Sequence, residues 1–271
     1  MGANYSIADW IHELPAEGEY CFSRAQIVDR FPDMKPETIA RALTREVQKK
    51  HIFSPQQGFY VIIPDEYKAR GVVPQGFYMD SLMKHLGRNY YVALLNAADM
   101  HGAAHQAPMT FSVMTELPPL RDKETSNYIT RFFCRTHIPS DYVERRIVRT
   151  GYINISSPEL TAVDLITFQH AVGGVTRAAT ILAELAEKLH FESLDVGFLE
   201  VAPLASFQRL GYILDAVLEE SQVADGLMEL IKKKRVLTQF VPLKPNKPSA
   251  GSPTDKRWKV IVNQQIEIDD L

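Results

Sequence analysis

The chain has 271 residues, 45% hydrophobic and 23% charged, the balance of a folded protein with room for two domains. Its net charge of −3 excludes a global basic field, so any nucleic-acid contact must come from a local patch. Two distant cysteines, Cys21 and Cys134, exclude a disulfide framework and a Cys-x-x-Cys metal knuckle, and no apolar run approaches the ~20 residues that span a bilayer.

In chain order, Ile7, Trp10, Ile11 and Leu14 are spaced as one face of a helix, which Pro15 to Gly18 breaks. Tyr20 to Phe22 reads as extended, and Ser23 as the N-cap of a second helix with Gln26 completing a capping box. Pro36 suits the first position of a third helix running to about Lys50. Ile52-Phe53 and Phe59 to Ile63 are β-rich around the turn residues Ser54 to Gly58. Three helices and a hairpin predict a winged helix-turn-helix over residues 1–63. A larger α+β domain with a helical C-terminal part is expected over 64–271. There, Gly76 to Leu86 and Tyr90 to Ala104 read as helices, and Phe111 to Thr115 and Tyr128 to Arg135 as strands. Ile147 to Ile155 reads as a hairpin turning at Thr150-Gly151, and Ser157 as the cap of a helix from Pro158 to Phe168. Val175 to Leu189, Leu204 to Leu218 and Val223 to Lys233 carry helical stripes. Pro242 to Thr254 is loop chemistry, and Trp258 to Asn263 a last strand.

The third helix carries the strongest chemical pattern. Ile39, Leu43 and Val47 are assigned to its apolar face, which leaves Thr38, Arg41, Thr44, Arg45 and Gln48 opposite. Guanidinium forks, hydroxyls and an amide are the groups that hold phosphates and read base edges in a major groove. Lys35 adds a cation at the helix start, and Gln56 and Gln57 stand at the tip of the predicted wing. Arg131, Arg135, Arg145, Arg146 and Arg149 form a second basic group, read either as an extension of a DNA footprint or as a solvated strand face. His101 and His105 have the i, i+4 spacing of metal ligands, but Gly102 stands where a zincin needs Glu. Packing is the expected role of this pair. No nucleophile elbow, phosphate-binding Gly loop or paired carboxylate motif is present, so no catalytic residue, cofactor or metal is expected. Residues 192–229 hold eight acidic groups and one basic, and 232–259 nine basic and one acidic. The two segments either pair with each other or face different partners.

Glu13 to Gly18, Phe22-Ser23-Arg24, Gly58 to Pro64 with Glu66-Tyr67, Leu82 to Arg88, Tyr90 to Leu95 and His101 to Gln106 together resemble the AbiEi family of bacterial antitoxins. The resemblance runs from about Leu14 to Leu189, and more loosely through Gln208 to Tyr212 as far as Trp258. It implies a winged-helix N-terminal domain and a C-terminal antitoxin domain. It also implies repression of the chain's own operon through inverted repeats in double-stranded DNA, and a nucleotidyltransferase-type toxin as the opponent. On this reading Thr38, Arg41, Arg45 and Gln48 read the operator, two copies (monomer or dimer in solution) pair on the repeat, and the protein is not an enzyme. A cytoplasmic location without membrane contact fits the cysteine usage and the absence of signal-peptide features in Met1 to Trp10. Two alternatives stay open: an antitoxin that touches its toxin directly, and a metal-dependent enzyme using Asp99, His101 and His105.

Overall fold

Helix α1 (Ile7–Glu13) starts at Ser6, whose hydroxyl accepts from the Asp9 amide while the Asp9 carboxylate accepts from the Ser6 amide. In this computed structural model the structure describes residues 5–103, 108–125 and 128–268. A 3-10 turn over Leu14–Glu17 and Gly18, at φ +81°, end α1. Strand β1 (Cys21–Ser23) follows, and Ser23 forms the expected capping box with Gln26 at the head of α2 (Arg24–Arg30). Pro36 is the first residue of α3 (Pro36–Gln48). Strands β2 (Ile52–Gln56) and β3 (Phe59–Ile62) form a hairpin, and the antiparallel sheet has the order β1-β3-β2.

These elements enclose a core of their own. Ile7, Ile11, Leu14, Phe22, Ile27, Ile39, Leu43, Ile52 and Ile62 pack together, and the Phe22 ring meets Trp10 edge to face and stacks on Tyr60. One assignment on α3 is corrected. Val47 is 41% exposed, and Glu46, 2% exposed, takes the inward place. At ~100° per residue Glu46 lies ~20° from Ile39 around the helix axis, whereas Val47 lies ~80° away on the same side as Leu43. Helical geometry overrides residue type here.

Cys21 shows what this packing does to chemistry. Burial pushes its thiol up to about 12, and the opposing hydrogen bond with Ser81 is the weaker influence. At pH 8 its thiolate fraction is roughly 10³-fold below that of a free cysteine with a pKa of about 8.5. Iodoacetamide at pH 8 should therefore leave Cys21 unmodified in the native chain and alkylate it in guanidinium, as peptide mass mapping would report. Native alkylation at the denatured rate would contradict this burial.

Beyond β3 come α4 (Met79–Leu86), β4 (Tyr90–Val92), α5 (Leu94–Met100), β5 (Thr110–Glu116), β6 (Lys123–Glu124), β7 (Ile129–Arg135), β8 (Val143–Val148) and β9 (Gly151–Ser156). They supply a six-stranded sheet of order β6-β7-β5-β4-β9-β8, with β4 and β9 parallel. Next are α6 (Pro158–Thr167), α7 (Val175–Leu185), α8 (Leu204–Tyr212), which continues into a π-helical turn over Ile213–Val217, and α9 (Ser221–Lys232). Short strands β10 (Val241–Pro242), β11 (Thr254–Asp255) and β12 (Val260–Ile261) pair in the order β10-β12-β11. The chain is α+β, as expected. Two helix assignments are corrected. Gln75–Phe77 is a 3-10 turn, so α4 begins only at Met79, and Tyr90–Val92 is a buried strand, with the helix beginning at Leu94. Aromatic and β-branched side chains favour that strand, and Leu94 at φ +56° breaks it from the helix.

The chain divides into two compact units. The first takes residues up to Tyr90 with Val113–Ile138 and Arg145–Asn154; the second takes Tyr91–Ser112, Pro139–Glu144 and everything from Ile155. Helix α6 is the axis of the second unit: every residue from Glu159 to Ile166 is buried, and α5, α7 and α8 pack on it. Its polar residues are satisfied. Asp164 accepts from the Tyr91 hydroxyl at 2.8 Å, and Glu159 accepts from the Ser157 hydroxyl and the His190 amide, both at 3.0 Å.

Candidate nucleic-acid interface

Helix α3 presents its polar residues outward because Ile39, Leu43 and Glu46 hold the opposite side against the core. Lys35, Thr38, Arg41, Thr44, Arg45 and Gln48 are all exposed. The Thr44 hydroxyl turns back to donate to the Ala40 carbonyl at 2.9 Å, so its outward contribution is a methyl group. Among the described residues neither Arg41 nor Arg45 belongs to an ion pair. Gln57 and Gly58, the latter at φ +77°, turn the hairpin; Gln57 is exposed and Gln56 half-buried. The Gly58 carbonyl accepts from the Arg24 amide at 2.8 Å and fixes the hairpin tip to the head of α2.

The second basic group is differently placed. Arg131 lies between Asp122 at 3.1 Å and Glu124 at 3.0 Å, and Arg149 pairs with Glu66. Arg145 stacks over the Tyr152 ring at 4.4 Å, and Arg135 and Arg146 have partners as well. Much of this charge is spent within the chain, whereas the α3 arginines are unspent.

His101 lies at the end of its helix rather than within it. Helix α5 stops at Met100, His101 is its C-cap, and Gly102 at φ +78° ends it. His101 is buried; its Nε2 lies 2.8 Å from the Ser156 carbonyl, and its own carbonyl accepts from Lys188 Nζ. His105 and Gln106 lie outside the described residues.

A different cluster had no signal in the sequence. His12 on α1, Glu46 on α3 and His51 just before β2 place one ligand atom each within 4.8 Å of one another. Burial raises the Glu46 carboxyl, but hydrogen bonds from Lys49 at 2.9 Å and His51 at 2.7 Å, with their charges, outweigh it and hold the group below its usual range. Spacings of 34 and 5 residues match no metal motif, so only the fold reveals the juxtaposition.

In the second unit the opposed charge segments meet. Lys234 at 2.7 Å and Arg235 at 3.1 Å pair with Glu200, and Arg257 pairs with Asp215 at 2.9 Å and with Asp225. A cleft of about 770 Å³ remains strongly acidic, lined by Glu187, Glu192, Glu219, Glu220, Asp225 and Glu229 among others.

Together these features define an α+β protein with one outward cationic helix and a second unit whose buried polar groups serve its packing. Residues 91–216 match the family model of the AbiEi antitoxin C-terminal domain. The match begins at Tyr91, so α3 and the hairpin lie outside it. Over 93% of this chain and 89% of the other, the fold is similar to the crystal structure of the RV2827C protein from Mycobacterium tuberculosis, with a TM-score of 0.66. At 14% identity that likeness is one of fold alone. No curated protein matches the chain. Among the described residues no helix is long and apolar enough to cross a membrane.

Proposed function

We propose that residues 1–63 are a winged helix-turn-helix that reads operator DNA, and that the chain is an autorepressor and antitoxin without catalytic activity. The exposed guanidiniums of Arg41 and Arg45 on α3, which belong to no ion pair among the described residues, carry this reading, whereas the arginines of residues 131–149 are engaged within the chain. In this reading α3 enters the major groove, Lys35 anchors a phosphate, Thr38, Thr44 and Gln48 contact neighbouring bases or phosphates, and the Gln56-Gln57 tip touches the flanking backbone. Two copies pair on an inverted repeat in the promoter of the chain's own operon and occlude it. Residues 64–271 form the antitoxin part that counteracts a nucleotidyltransferase-type toxin in the cytoplasm.

The test is binding of the purified chain to the DNA upstream of its own gene across a salt series. Tight binding that falls by about 10³-fold or more between 50 and 200 mM salt is expected for a paired reader with several phosphate contacts. No binding at low salt would overturn the reading.

One observation favours a second route for toxin control. The acidic cleft of the second unit has the charge to cover a basic surface by direct contact. Co-purification with the adjacent gene's product, lost in Glu219→Lys with Glu220→Lys, is the expected result of that route. An unchanged complex in the variant would exclude this cleft.

A further inference from the structure

We propose that His12, Glu46 and His51 form a binding site for a divalent transition-metal ion, with Zn²⁺ the best match to the donor set. Three elements bring these side chains together: the end of α1, the end of α3 and the turn into β2. The His12 and His51 rings meet edge to face with centroids 4.9 Å apart, and His51 Nδ1 lies 2.7 Å from Glu46 Oε2. Glu46 occupies a core position on α3, where an apolar residue would avoid the cost of burying a charge. Lys49 and His51 satisfy its oxygens in the metal-free chain, but they give no reason for a second imidazole within ligand distance of both.

Two imidazoles and one carboxylate are a Zn²⁺ donor set that leaves a fourth position for water. Mg²⁺ and Ca²⁺ prefer all-oxygen shells and fit it poorly. A cavity of about 240 Å³ adjoins the cluster, lined by His12, Tyr20, His51, Asp65 and Lys68 among others, and gives the ion an approach and its water a place. On binding, both imidazoles coordinate as neutral rings and any proton they carry in excess leaves to solvent. The bond between His51 and Glu46 is exchanged for two bonds to the ion. Lys49, whose side chain is 56% exposed, swings from Glu46 to water. The ion ties α1, the end of α3 and the hairpin's first strand into one piece.

The experiment uses the EDTA-treated full chain, ZnCl₂ and MgCl₂, with calorimetric titration and thermal unfolding, and no DNA, so its outcome is independent of the operator reading. His12→Ala is the decisive variant, because His12 is exposed and its loss should shift the metal-free Tm by no more than about 2 °C. Wild type should bind one equivalent of Zn²⁺ and gain about 5–10 °C in Tm when free zinc is 100-fold above its Kd. Mg²⁺ should do neither. His12→Ala should lose at least about 100-fold in zinc affinity, beyond what loss of an outer-shell partner usually costs. Absence of zinc binding by wild type, or equal binding by His12→Ala, would overturn the site.

Discussion

Arg41→Ala combined with Arg45→Ala is expected to weaken operator binding by more than an order of magnitude while leaving the unfolding curve where it was. Both side chains are exposed, on the side of α3 away from Ile39 and Leu43. Alanine is the best helix former, and neither arginine belongs to a described ion pair, so the fold loses no contact of weight. The proposed DNA complex would lose far more. A bidentate arginine–base contact is worth about 1–3 kcal/mol, so removing two weakens binding by roughly 30-fold to 10⁴-fold. Fluorescence anisotropy with the upstream DNA and circular dichroism of the same preparation separate the two effects. Arg131→Ala is the matching control, since its guanidinium is already held by Asp122 and Glu124. Operator binding by the double variant within a factor of a few of wild type would move the reader away from α3.

The comparison of Arg41 with Arg131 also shows which features are legible in a sequence. Capping boxes are local, and Ser23 with Gln26 and Pro36 ahead of α3 placed two helix starts from a few residues each. The outward face of α3 was legible for the same reason, since it follows from 3.6-residue periodicity once the helix is placed. Residue type misled at Val47 and Glu46, where periodicity put the carboxylate inward and long-range partners, His51 foremost, made that tolerable. Tyr90 to Val92 misled because a three-residue strand leaves too short a pattern to distinguish from the helix that follows. Pairing is the hardest property to read. Nothing near Arg149 in the chain predicts Glu66, and nothing near His12 predicts Glu46 or His51, because those neighbours are made by the fold.

Gly211→Ala is expected to destabilise the second unit by about 3 kcal/mol or more, although alanine normally strengthens a helix by about 1 kcal/mol over glycine. Gly211 is buried in α8, and a Cβ there would overlap ring carbons of Trp258. Something must shift, and the ring is poorly placed to do so. It is fully buried, its Nε1 donates to Asp215 at 2.9 Å, and its backbone amide donates to Asp255 at 2.6 Å. The Trp258 carbonyl also accepts from Gln208, one turn before Gly211, at 3.0 Å. Retreat of the indole would leave the Asp215 bond unmade in the interior, which adds the cost of an unsatisfied buried group to the overpacking. Thermal unfolding would report this as a fall of roughly 6–12 °C in Tm. The sign of the effect tests the cause. Trp258→Ala alone should cost about 3–5 kcal/mol, but in that background Gly211→Ala should be neutral or stabilising, because the opposing ring is gone and only helix propensity remains. Stabilisation by Gly211→Ala in the wild-type chain would mean that the indole is not packed against this helix. The C-terminal strand pair would then need another anchor than the one Trp258 provides.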